Sequence, residues 1–399
     1  MSSQPFYNLY PNHSYSYTYL VLKRWVILLP RIVLAILSHL IFGPKIQDWD
    51  LLYQITVISA ICWDQFGGSN IQQKQQAAHI ALLPTPSKCK IVKSKFKRDQ
   101  KVIDYLSQLP SDHAPHAKNA DERVYGEWIQ SDTLTVADED HVIYYLHGGG
   151  YYTGSIEVYK TLLYHLSKTS NSKVFAIQYR LAPQNPYPCG LIDAVSGYLY
   201  LLEQGYSPNN IVISGDSAGG GLAISLCLVL RDMKLVQPAA LYLICPWVDL
   251  TSSFPSFQTN APYDIIKPHP KDQRIPNRLQ YYTKDECLKE SYVSPIWSKD
   301  LTNLIPMFIQ TGTVERLHDE IIEFSKKVAK FNNSITLETY QSHVHDFLLM
   351  AELNDGAYQA CIRAGEFIKR ATLRSNPIGK DSIRVSLSFT GNEIKSERM

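Results

Sequence analysis

A chain of 399 residues, 45% hydrophobic and 19% charged, is long enough to bury a large core, which excludes disorder throughout. It suits one α/β domain of about 280 to 300 residues plus extensions. The 39 basic and 37 acidic residues are mixed along the chain and leave a net charge of +2, so no electrostatic footprint for nucleic acid is present.

The first strong signal in chain order is apolar: W-V-I-L-L-P-R-I-V-L-A-I-L-S-H-L-I-F, Trp25 to Phe42, is about the length that crosses a bilayer. Lys23 and Arg24 precede it, and Lys45, Asp48 and Asp50 follow. That asymmetry favours an N-terminus in the cytosol. With no small-residue cleavage site, residues 1–63 read as a tail and an uncleaved anchor of a single-pass endoplasmic reticulum protein with a lumenal catalytic domain. The rival reading is a helix lying in the interface, peripheral on the membrane surface. Arg24, Arg31, Ser38 and Lys45 recur every seven residues as one polar stripe, and Arg31 is costly in mid-span. A buried soluble helix is the third. Leu51 to Trp63 is short for a span and reads as a membrane-facing or core helix. The sequon Asn332-Asn333-Ser334 is usable only if the domain is lumenal, and Asn12-His13-Ser14 would then lie on the other side.

Residues 64–122 are polar, with Pro84, Pro86, Pro110 and Pro115 and the basic run Lys93 to Lys101. They read as a connector with one or two short helices and a cap contribution, the charge run forming a solvated face. Over residues 123–371, strand-like runs (V-Y-G-E-W-I, V-I-Y-Y-L, V-F-A-I-Q-Y, I-V-I-S, L-Y-L-I-C, M-F-I-Q-T, I-T-L-E-T-Y) alternate with helical stretches such as Val158 to Lys168, Leu191 to Glu203, Gly219 to Met233 and Asp319 to Phe331. The alternation predicts a mostly parallel sheet with helices on both faces. Ser252 to Tyr292 lacks a sheet pattern and is expected to form part of a cap. After a last helix, about Tyr358 to Ala371, residues 372–399 show no core pattern and are expected to be a disordered tail.

Seven cysteines (Cys62, Cys89, Cys189, Cys227, Cys245, Cys287, Cys361) contain no C-x-x-C pair and no Cys/His cluster, so nothing suggests a zinc or redox site. Cys227 and Cys245 read as small core residues, and the odd count leaves disulfides open.

Two motifs carry chemistry. G-D-S-A-G, Gly215 to Gly219, sits between a predicted strand and a predicted helix and fits G-x-S-x-G, whose glycines allow the sharp turn that exposes a serine, here Ser217. Asp216 and Ala218 flank that serine. His147-Gly148-Gly149-Gly150 follows the strand Val142 to Leu146, and its glycines let backbone N–H groups approach a reacting oxygen. A serine nucleophile needs a base and an orienting acid, expected later in the chain in the order acid, then histidine. Glu315 and Asp319 follow the strand Met307 to Gln310, and His343 and His345 follow I-T-L-E-T-Y; the residues themselves choose neither acid nor histidine.

With H-G-G-G and G-D-S-A-G in this order, the chain resembles the hormone-sensitive-lipase branch of the α/β-hydrolases. Y-R-L-A-P-Q-N-P-Y-P (Tyr179 to Pro188), Asp193 and P-W-V-D-L-T (Pro246 to Thr251) extend the resemblance over roughly residues 123–371. The apolar N-terminus and G-E-W-I (Gly126 to Ile129) look most like the fungal steryl acetyl hydrolases. The resemblance implies an α/β-hydrolase fold and a catalytic set of Ser217, Glu315 and His345, the last because H-D-F matches His345, Asp346 and Phe347. It implies oxyanion donors at the N–H groups of Gly149, Gly150 and Ala218. Glu315 stands where the family usually has aspartate. The implied activity is serine ester hydrolysis without metal or cofactor, on sterol acetates or similar lipophilic esters. The alternatives are an acylglycerol lipase or general carboxylesterase, and a non-catalytic small-molecule receptor on the same fold. An ordinary imidazole at His345 predicts activity rising through about pH 6.5. Tyr151 and Tyr152 are placed beside the oxyanion turn as candidate pocket walls.

Overall fold

The computed structural model describes residues 14–66, 75, 85–109, 123–135, 140–266, 285–372 and 381–399. Contacts divide the chain into two compact units, 1–77 and 78–399.

The first unit holds α1 (Ser14–Phe42) and α2 (Leu51–Phe66). Among the described residues no helix is long and apolar enough to cross a membrane, so the span expected over Trp25 to Phe42 is not recovered. Pro30 and Arg31 interrupt the apolar run in the middle of α1. Arg31, Ser38 and Lys45, three members of the sevenfold stripe, line one groove of about 530 Å³ between the helices, against Leu34 and Ile58. Asn12 of the first sequon lies outside the described residues.

The second unit is built on a ten-stranded sheet. Its strands are β1 (Lys90–Phe96), β2 (Val124–Gln130), β3 (Val142–Leu146), β4 (Lys173–Gln178), β5 (Ile211–Asp216), β6 (Ala240–Ile244), β7 (Met307–Gly312), β8 (Ile335–Tyr340), β9 (Ile383–Leu387) and β10 (Glu393–Arg398). In space the order is β1-β2-β4-β3-β5-β6-β7-β8-β9-β10. From β4 to β9 neighbours are parallel, while β1–β2, β2–β4 and β9–β10 are antiparallel. The central strands read as unbroken apolar runs because helices bury both faces; every residue of β3, β5 and β6 is buried.

After the short α3 (Gln100–Leu106), the covering helices are α4 (Ile156–Ser170), α5 (Cys189–Glu203), α6 (Ser217–Asp232), α8 (His318–Lys330) and α9 (Asp355–Thr372), with the single turn α7 (Ser256–Thr259). Leu162, Leu163 and Leu166 of α4 share one core with Ala360, Ala364 and Phe367 of α9. Residues of α5, α6 and α8, such as Val195, Leu226 and Phe324, fill the core on the other face. All seven predicted strands and the predicted helices are present within a few residues.

Two expectations change. The basic run is not only a solvated face: Lys93 and Lys95 lie on the edge strand β1, and Arg98 is buried against Asp193. The tail expected to lack structure adds β9 beside β8 and β10 beside β9. Ile383, Val385 and Leu387 alternate along β9, with Leu387 fully buried. Of the expected cap, residues 267–284 lie outside the described residues. Cys227 and Cys245 are fully buried as core residues.

Candidate active site

β5 delivers Ser217 to the carboxyl end of the sheet, where sites of open α/β sheets form. Ser217 opens α6 with φ 50°, a left-handed conformation that is strained for a residue with a Cβ. One residue thereby converts strand into helix and leaves the hydroxyl at the helix N-terminus. The turn needs Gly219, because a Cβ there would stand 2.0 Å from the Leu146 carbonyl oxygen. The Ser217 carbonyl accepts from Trp247 N at 2.8 Å.

The H-G-G-G turn follows β3, the neighbour of β5. Gly149 and Gly150 have φ of 107° and 61°, and a Cβ on Gly149 would meet the Thr153 carbonyl oxygen at 2.3 Å. Asp216 ties this turn to the elbow: its Oδ1 accepts from Gly148 N and from the Tyr145 hydroxyl, each at 2.8 Å. The His147 ring stacks on Tyr179 at 4.4 Å, and the Tyr179 hydroxyl donates to His147 O at 2.6 Å. Ala218 is fully buried behind the serine. Tyr151 and Tyr152 are buried, and Tyr151 stacks on Trp247.

The candidate acid and base come from loops after β7 and β8. Glu315 is fully buried; its Oε1 accepts from Thr311 Oγ1 and from Gly312 N at 3.0 Å, and its Oε2 lies 2.7 Å from His345 Nδ1. Asp319 instead accepts from Ser256 N at 2.8 Å. His343 is engaged by Gln341 O and Asn354 Oδ1. The structure therefore pairs His345 with Glu315 and places the other two candidates elsewhere.

His345 Nε2 lies 3.1 Å from Asp346 Oδ2. Among the described residues no hydrogen bond joins the ring to Ser217 Oγ. Burial alone would lower the imidazole, but the Asp346 carboxylate, with Cys245 and Glu315, outweighs it and holds His345 well above its ordinary value. This replaces the expectation of an ordinary imidazole. Ligating-type atoms of Cys245, His345 and Asp346 fall within 4.8 Å of one another. Both ring nitrogens already face carboxylates and burial pushes the Cys245 thiol well up, so we assign this array no metal or cofactor role.

One residue that sequence reasoning missed is Asp264. Its Oδ1 accepts from His345 N at 2.9 Å and its Oδ2 from Arg316 N at 2.8 Å, so one side chain fixes the backbone of both the base loop and the acid loop. Burial pushes its carboxyl up to about 6. No motif marks it: the surrounding stretch has no periodicity. Asp193, fully buried, accepts from Arg180 N at 2.9 Å and Arg98 Nε at 2.5 Å, which fastens the Y-R-L-A-P segment and the basic run to α5.

Residues 143–349 match a family described as alpha/beta hydrolase fold. The chain is 32% identical to an acetyl-hydrolase of Streptomyces hygroscopicus over 62% of its own length and 80% of that protein. It is 26% identical to an ethyl acetate hydrolase of Pseudomonas putida, over 57% of this chain and 72% of that one. Among solved structures, a hormone-sensitive lipase from a metagenome library superposes with a TM-score of 0.64 at 26% identity, covering 76% of this chain and 94% of that one.

Proposed function

Starting from a chain that belongs to the α/β-hydrolase fold family, is of hormone-sensitive-lipase type and is a carboxylic ester hydrolase, we propose that it works through an acyl-enzyme on Ser217 and deacetylates sterol acetates or similar lipophilic short-chain esters. The observation that carries the mechanism is the buried Glu315–His345 pair at the end of the sheet where the strained Ser217 opens α6.

In this mechanism His345 Nε2 takes the proton of Ser217 as its Oγ attacks the ester carbonyl, then protonates the leaving alcohol. The same nitrogen activates water for deacylation. Glu315 holds the Nδ1–H tautomer and stabilises the imidazolium. The N–H groups of Gly149, Gly150 and Ala218 receive the oxyanion, each such donor supplying typically about 2.7 to 4 kcal/mol. The acetyl preference draws on the names of the relatives.

The lipophilic-alcohol part draws on the first unit. Val26, Leu40 and Phe42 of α1 are 71%, 71% and 83% exposed, an apolar surface suited to a membrane interface. Membrane association, at the endoplasmic reticulum with the catalytic unit lumenal, belongs to this reading, and the exposed Asn332 is its glycan acceptor. The test is acetate release from a sterol acetate by the membrane-bound protein. Turnover lost in Ser217→Ala supports the reading. Wild-type activity confined to simple soluble esters discards the sterol. A glycosidase-sensitive mobility shift abolished by Asn332→Gln reports the lumenal side.

A further inference from the structure

Asp346 follows the base in sequence and adopts a left-handed backbone, φ 51°, that turns its carboxyl back onto the ring of its neighbour. One oxygen, Oδ2, lies 3.1 Å from His345 Nε2, the nitrogen that must reach the serine. The other, Oδ1, is buried without a hydrogen-bond partner, as is Oδ2 of Asp216. Burial pushes both carboxyls up, that of Asp216 further because the Asp346 carboxylate lies beside it. Two adjacent buried carboxylates cannot both ionise, and an orphaned buried oxygen is costly; one proton between them resolves both problems.

We propose that Asp346 and Asp216 share one proton, and that Asp346 is a positioning residue that holds His345 Nε2 in the resting enzyme until the ring passes to Ser217. Asp216 in turn holds Gly148 N, so the bridge runs from the turn of the candidate oxyanion donors to the base. The other groups facing this point are Glu315 on Nδ1, Cys245 from the end of β6, Asp264 on the His345 backbone N–H, and the Tyr145 and Tyr159 phenols beyond Asp216, which burial keeps protonated. Cys245 also bonds the His345 side chain.

The inference rests on Ser217 and His345 acting as proposed above. Its test is the pH dependence of kcat/KM on p-nitrophenyl acetate, with Tm as a folding control, for wild type, Asp346→Asn, Asp216→Asn and Ser217→Ala. Asp346→Asn removes the anion that retains the proton on His345, so its acid limb moves down by about one pH unit or more. Asp216→Asn leaves Asp346 ionised and moves the limb the opposite way. An unshifted limb in a folded Asp346→Asn protein overturns the inference. So does a downward shift in Asp216→Asn, which decides the matter alone if Asp346→Asn fails to fold. Turnover surviving in Ser217→Ala sinks the underlying reading instead.

Discussion

Between the elbow and the H-G-G-G turn, contact is made largely by backbone: a strained Ser217, glycines pressed against carbonyl oxygens, and one carboxylate, Asp216, joining the two. Between the acid and base loops, contact is made by side chains: Thr311 on Glu315, Glu315 on His345, and Asp264 on both loops. Backbone fits leave a glycine signature in the sequence, whereas a side-chain network can be assembled from residues far apart that form no motif. The first half should therefore fail sterically when mutated, and the second electrostatically.

The sharpest break of that contrast is Glu315→Gln, which keeps the shape and loses the charge and the tautomer control; kcat on a soluble acetate ester should fall by about 10⁴-fold with little change in Tm. Gly149→Ala comes next. Its methyl meets the Thr153 carbonyl and displaces the turn, so kcat should drop by about 10²- to 10³-fold with KM little moved. Asp264→Asn keeps one acceptor and loses the other, and should cost about tenfold to a hundredfold by loosening both loops. The same variant has a pH signature. A carboxyl at about 6 in the folded state and about 3.9 unfolded contributes stability that is complete below pH 4 and lost by about pH 6. The Tm advantage of wild type over Asp264→Asn should therefore shrink between pH 4 and pH 6 and stay flat above. Asp319→Asn, whose carboxylate accepts from Ser256 N, should leave kcat unchanged and lower stability by about 1 kcal/mol.

What was legible follows the same division. Buried parallel strands such as Val142–Leu146 stand out as apolar runs, and the glycine motifs locate the elbow and the turn. Glu315 over Asp319 and His345 over His343 needed resemblance, since each pair is chemically equal until the fold places one member of each at the other's side. The strand Ile383–Leu387 carries an alternation too short to stand out beside a polar tail, while Glu393–Arg398 is exposed throughout and shows no pattern to read. The edge strand Lys90–Phe96 is written in lysines, which protect an edge and disguise it as a loop. Asp264 had no signal at all: a single carboxylate acquires its role only when three segments meet around it.

Whether Ser217 is the nucleophile is read from intact-protein mass after reaction with an active-site phosphonate ester, followed by peptide mapping. A nucleophilic Ser217 gives one adduct, on Ser217, absent from Ser217→Ala and formed far more slowly in Glu315→Gln. An adduct on another residue, or equal labelling of Ser217→Ala, would contradict it.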